Sequence, residues 1–457
     1  MPVDRSRLPA LGADPAFTLP AIVRHRLANG LQVRTVEHHS LPVIVVALIV
    51  EGGSGADAEQ REGLAALTAD MLDEGAGSLS AIGVSDQLAR IGAQYDVDVG
   101  PDATIFSLTT LGRFADRGAA LLASMITAPS LREADFTRVR QLRLDRLLQL
   151  RDLPPTVAER AFLRLAYGAH PYGHLGIGTD DALRRLTLED VAAFHAAQCR
   201  PSRATLVVAG PMDHVALRQI ADTAFGGWRD NGQPDTLPVA AALTPRPEAP
   251  DIRLAIVPRA GAAQSEVRIG HLVSGRNTPD YPALLVMNAV LGGQFVSRVN
   301  LKLREEKGYT YGARTGFDWR RGPTPFALSA AVHTAATADA VADSLAELEA
   351  IRGSRPPTPD ELELAKASLT RGYPRNFETA QQVARAVSQL VVYDLPDTYF
   401  AEFVGKTNAV TADETVAAAA RHLDPARLTT LIVGDHQAIA QSLQSLTSAE
   451  LHVLPTG

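Results

Sequence analysis

TLEDVAAFHAAQCRPSRATLVVAGPMD at 187–213 and TADETVAAAARHLDPARLTTLIVGDHQ at 411–437 follow one plan. Each opens on a threonine suited to capping a helix, with acidic residues in the first turn, where they favour the positive end of the helix dipole. Each continues through an alanine-rich helical stretch, a Pro-x-Arg turn and a β-branched strand, and stops at glycine. Thr187 pairs with Thr411 and Gly210 with Gly434 at one constant offset. A looser match links GLAALTADMLDEGAG (63–77) to PALLVMNAVLGGQF (282–295). Repetition on this scale implies a tandem duplication, with units of about 220 residues.

The duplication organises the rest of the chain. A proline-rich stretch without periodicity, DNGQPDTLPVAAALTPRPEAP (230–250), reads as the seam. The expected division is an N-terminal extension at 1–20, a first domain at 21–235, a linker at 236–250 and a second domain at 251–457. In the first domain, strands are expected at 23–37, broken by the hairpin signal of Asn29 and Gly30, and at 41–51. Helices follow at 63–74 and 80–91, strands at 94–99 and 104–111, and long helices at 113–150. Strand pairs interleaved with helices indicate an α+β fold, each domain a mostly antiparallel sheet with helices on one face.

Composition narrows the function classes. Of the 457 residues, 46% are hydrophobic and 21% charged, which is ordinary globular material. Net charge is −7, and no Lys/Arg block is dense enough to track phosphates, so nucleic acid is not an expected partner. The single cysteine, Cys199, permits neither an intramolecular disulfide nor a cysteine-based metal cluster. The longest apolar run, LPVIVVALIV (41–50), is half of the roughly 20 residues a spanning helix needs and reads as a buried strand. The first residues lack a secretory pattern, which points to the cytoplasm, or to the periplasm if a leader has been removed.

The segment LKLREEKGYTYG (301–312) carries the chemistry. A helix is expected from about 283 to 304, ending at Gly308 in the left-handed conformation. Strands are expected at 309–319 and 326–332. Arg304 and Tyr311 then lie on different elements, brought together by the turn. Attack on a peptide carbonyl creates an oxyanion, for which each fixed donor is worth roughly 3–4 kcal/mol. A tyrosine hydroxyl supplies such a donor, and an arginine fork fixes a carbonyl. Strand alternation places Tyr309 and Tyr311 on one side, lining one cavity. The plainer alternative is an arginine capping its helix and a tyrosine packed at a sheet edge.

This segment resembles the LR-x-x-x-x-G-x-Y element in the C-terminal half of the insulinase/pitrilysin-type (M16) zinc peptidases, and the likeness extends over nearly the whole chain. It implies two α/β sandwich domains of the M16 (LuxS/MPP-like) type, with Arg304 and Tyr311 reaching over substrate beside Tyr309, Gly292 and Gly293. The family's inverted H-x-x-E-H falls on Ala66, Leu67, Thr68, Ala69 and Asp70. Both histidines and the glutamate base are absent. The downstream ligand falls near Arg146, or Asp145 with a slipped register, in LRLDRLLQLRDLPP (142–155). Ala66, Ala69, Asp70 and Arg146 therefore form a degenerate site, and no metal is expected on this chain.

One branch of the family divides its site between two chains. The resemblance accordingly implies the non-zinc subunit of an M16B-type heterodimeric metallopeptidase, its zinc on a homologous partner and its substrate an unfolded peptide. The alternative is a catalytically inactive structural or assembly protein. Other candidates are weaker. His170 and His174 in HPYGH share a spacing seen in zinc sites, but proline and glycine between them exclude a helix, so loop packing is expected. His38 and His39 read as solvated. IVEGGSGAD (49–57) could bind extended peptide by strand addition, although Gly52 and Gly53 fit an ordinary strand-to-loop break. No G-x-S-x-G nucleophile element occurs, and Cys199 has no evident base.

Overall fold

The computed structural model describes residues 18–230, 244–248, 251–446 and 449–455. The N-terminal extension and most of the linker lie outside the described residues. The Asn29 and Gly30 turn joins β1 (Ile22–Arg26) to β2 (Gln32–Glu37), with Gly30 at φ +93° and the Asn29 side chain accepting from the Leu31 N–H. The apolar run becomes β3 (Val43–Glu51). A two-residue pair, β4 (Gly75–Ala76) and β5 (Leu79–Ser80), precedes β6 (Gln94–Val99), β7 (Ala103–Leu111) and β8 (Ala204–Gly210). The second half contributes β9 (Leu254–Pro258), β10 (Gln264–Val273), β11 (Thr310–Phe317), β12 (Thr324–His333), β13 (Thr429–Gly434) and β14 (Leu451–Val453).

Among the described residues these strands build two six-stranded sheets, ordered β1-β2-β8-β3-β7-β6 and β14-β9-β13-β10-β12-β11. In both, one inner pair is parallel (β2 with β8, β9 with β13) and the neighbouring pairs towards the far edge are antiparallel. They differ at the outer strand. Antiparallel β1 comes from the start of the first half, whereas parallel β14 comes from the end of the chain. The repeated threonines cap as expected: Thr187 and Thr411 each close a reciprocal capping box, with Asp190 and Glu414.

Helices cover both faces of each sheet, not one. The front of the first sheet packs on its own helices, Ala115–Thr127 and His214–Phe225. Its back, through Val45, Ala47, Ile49 and Val207, packs on helix Ala380–Val392 from the second half. Reciprocally, helix Pro154–Tyr167 of the first half packs against Ala255, Val257, Leu431 and Val433 of the second sheet. This exchange explains why β3 is buried at seven successive positions instead of alternating.

The HPYG loop fastens the halves together. Tyr172 donates to buried Asp102, and its carbonyl accepts from Arg320 Nη1 at 2.9 Å. Asp102 also accepts from the Arg321 N–H at 2.8 Å, and Tyr167 donates to the Pro323 carbonyl. The Arg320 guanidinium lies 4.9 Å from the ring centres of both Tyr167 and Tyr172. His170 Nδ1 accepts from the Tyr172 N–H at 3.1 Å. His174 Nε2 lies 3.0 Å from Asp57, whose carboxylate accepts from the Gly63 and Ala65 N–H groups at the start of helix Leu64–Asp70. Both histidines serve packing. His38 is buried, Nε2 facing the Phe377 carbonyl, contrary to the solvated expectation, while His39 is exposed.

Candidate functional site

The second half opens a cavity of about 570 Å³ between the edge of its sheet and the segment that follows helix Tyr281–Leu291. Arg304, Tyr311, Gly292 and Gly293 all line it. The continuous helix expected to 304 does not form. It ends at Leu291, and the chain re-enters helix only at Arg298–Asn300, passing into a π-helical turn at Leu301–Glu306. The break follows from the glycine pair. A Cβ at Gly292 would stand 2.5 Å from the Thr315 backbone nitrogen, so only glycine lets the helix end press on β11 there. The Thr315 N–H in turn donates to the Gly292 carbonyl at 3.0 Å.

The wider π-helical turn carries Arg304 past the helix end, and Gly308, at φ +65°, reverses the chain as its sequence position predicts. The Arg304 guanidinium sits over the Phe295 ring at 4.5 Å, with Nε 3.3 Å from Glu305. Phe295 itself is exposed. Tyr311 sits in a bulge: pairing of β11 with β12 shifts register between Thr310 and Ala313. Thr310 braces the bulge by donating to the Ala331 carbonyl, and Asn300 Oδ1 holds the Ala313 N–H at 3.0 Å. Tyr311 is consequently 85% exposed.

The same bulge undoes simple alternation. Tyr309 precedes β11 and packs against the core of the second half, so it does not share the cavity wall with Tyr311. Sequence reasoning also missed Arg268 and Arg314, which line the cavity with Arg304. The signal available was the run of small residues facing them on β12.

The first half presents no comparable opening at its family site. Ala66 and Ala69 on helix Leu64–Asp70 are buried. Asp70 pairs with Arg143 Nη1 at 2.5 Å, and Arg143 Nη2 also donates to the carbonyls of Gly176 and Ile177. The arginine facing Asp70 is thus Arg143, not Arg146. Arg146 and Asp145 are exposed on helix Glu133–Arg151, bonded to Gln149 and Gln141 respectively. One carboxylate held by a guanidinium does not fit zinc, which needs three protein donors. Among the described residues no three His, Cys, Asp or Glu side chains converge. Nearby, burial and the adjacent Glu74 push the Asp73 carboxyl up to about 6. Burial likewise pushes the Cys199 thiol up to about 12, so it is not a poised nucleophile. Gly52 and Gly53 both have positive φ, and Gly53 meets the Gly100 carbonyl so closely that no side chain fits, a strand-to-loop break as the plainer expectation holds.

Among the described residues no helix is long and apolar enough to cross a membrane.

Two family models match the chain in succession: Insulinase (Peptidase family M16) over residues 32–180, and Peptidase M16 inactive domain over 185–369. An uncharacterized zinc protease of Mycobacterium tuberculosis is 24% identical over 437 residues, covering 95% of this chain and 98% of that protein. Among solved structures, a protease from Helicobacter pylori superposes with TM-score 0.85 at 22% identity, covering 91% of this chain and 100% of that one. A peptidase M16 inactive domain from Pseudomonas fluorescens gives TM-score 0.83 at 22% identity, covering 91% and 98%.

Proposed function

Because this chain belongs to the M16 peptidase family, we propose that it is the non-zinc subunit of a two-chain metallopeptidase, acting on unfolded peptide beside a homologous zinc-bearing partner. Arg304 and Tyr311 serve the partner's metal, water and base. A peptide lies in the cavity with its scissile carbonyl towards Tyr311. As the carbonyl carbon becomes tetrahedral, the Tyr311 hydroxyl donates to the developing oxyanion. Such a donor stabilises the transition state more than the ground state, because charge develops only there. The Arg304 fork donates to a neighbouring substrate carbonyl and holds the register.

The observation that carries this reading is an exposed Tyr311 sharing a cavity wall with Arg304, in a chain whose own helix Leu64–Asp70 offers one arginine-bound carboxylate. The rival reading, a scaffold without catalysis, gives Tyr311 no task.

The test is reconstitution. The purified chain is expected to hold no stoichiometric zinc and to cleave nothing by itself. Mixed with a zinc-motif relative from the same cell, it is expected to cleave unfolded peptide. Stoichiometric zinc and cleavage from the isolated chain would sink the proposal, and a mixture indifferent to Tyr311→Phe would favour the scaffold.

A further inference from the structure

The cavity floor is a row of three side chains in register across three strands. Arg268 on β10 faces Ser329 on β12, and Ser329 faces Arg314 on β11. Paired residues share a sheet face, so two arginines flank one small hydroxyl. With neighbouring strands about 4.8 Å apart, the two arginine backbones stand roughly 10 Å from each other. Ala331, the next residue on that face of β12, keeps the gap low.

Two of the three arginines on this wall are paired with carboxylates, and among the described residues Arg314 is not. Arg268 is almost fully buried and largely compensated, by Glu266 at 2.5 Å and by Glu159 at 3.5 Å from Nε. That burial fixes its position. Arg314 is exposed, and among the described residues no carboxylate pairs with it. Arg304 has only half-exposed Glu305. Glu266, Glu159 and Glu305 thus answer Arg268 and Arg304, and Arg314 leaves an unpaired positive charge on the cavity wall. The free Arg314 guanidinium, beside the Ser329 hydroxyl and the fixed positive end of Arg268, matches a carboxylate in charge and fork geometry.

We propose that the Arg268–Ser329–Arg314 row is a carboxylate-binding subsite that selects acidic peptides, Arg314 supplying the free charge. This rests on the peptide-binding reading of the same cavity and adds its substrate class. The carboxylate is either a Glu or Asp side chain or the peptide's own C-terminus.

Binding to the isolated full chain tests the subsite without any cleavage. Four fluorescent peptides of one length are titrated by anisotropy: Glu-bearing or its Gln counterpart, each as free acid or C-terminal amide. The expected result is at least about tenfold tighter binding of a carboxylate-bearing peptide over its neutral counterpart, weakening steeply with salt. The Glu/Gln and acid/amide pairs separate the two carboxylate sources. Arg314→Ser should bring the ratio close to one and Arg314→Lys should keep part of it, with unaltered melting verifying that each variant folds. Equal affinity for all four peptides, or no binding of any, overturns the subsite. Charge selection without cleavage by the reconstituted pair would instead strike the catalytic reading and leave the subsite standing.

Discussion

Helix Leu64–Asp70 of the first half and the turn that carries Arg304 in the second stand beside corresponding sheets, yet they treat polar chemistry in opposite ways. The first closes over its position with two buried alanines and an Asp70–Arg143 ion pair. The second spends structure on keeping its position open: a glycine pair pressed on β11, a π-helical turn and a bulge that together present Arg304 and Tyr311 to solvent. π-Helical turns and β-bulges recur at functional sites, where they re-aim side chains. That asymmetry is better support for a working half-site than either side chain alone.

The comparison is most sharply tested at Tyr311. Tyr311→Phe removes a hydroxyl without a packing role, so turnover by the reconstituted pair should fall roughly 100-fold or more while melting of the chain is unaltered. A parallel drop in melting would mean the hydroxyl is structural. Next comes Gly292→Ala, whose methyl would collide with Thr315. Chemical denaturation should register a loss of about 1–3 kcal/mol as the helix end lifts from β11.

On the closed side, Arg143→Met should cost about 1–2 kcal/mol, because three acceptors lose their donor although Asp70 is partly exposed and can turn to water. An effect of similar size concerns pH. The folded state keeps the Asp73 proton to about pH 6, whereas an unfolded carboxyl releases it near 3.8. The unfolded state therefore binds fewer protons between those values, and stability falls as pH rises through them. Partial exposure limits the loss to about 1–2 kcal/mol. Denaturant midpoints from pH 3.5 to 7 should show this slope, and Asp73→Asn should flatten it.

The sheets were largely legible before the structure, because strand periodicity and capping are local properties. The Asn29 and Gly30 turn, β6 and the repeated threonine caps all stand where their residues predict. What escaped was set by tertiary contact. The helix expected through 304 breaks because β11 lies against it, and Tyr309 parts from Tyr311 because a bulge interrupts alternation. Arg143, one turn before Arg146, is the arginine that meets Asp70, because the packing of the two helices and not a count from a proline sets the level of the contact. At the site, the composition of the segment was readable and its geometry was not.

The exchange of helices Pro154–Tyr167 and Ala380–Val392 has a further consequence. Neither copy of the duplicated unit is complete: expressed singly, each would leave the greasy underside of its own sheet bare to water. Before the genes fused, the ancestral unit would thus have had to live as a pair of identical chains with traded arms. The present molecule is that pair made permanent in one chain.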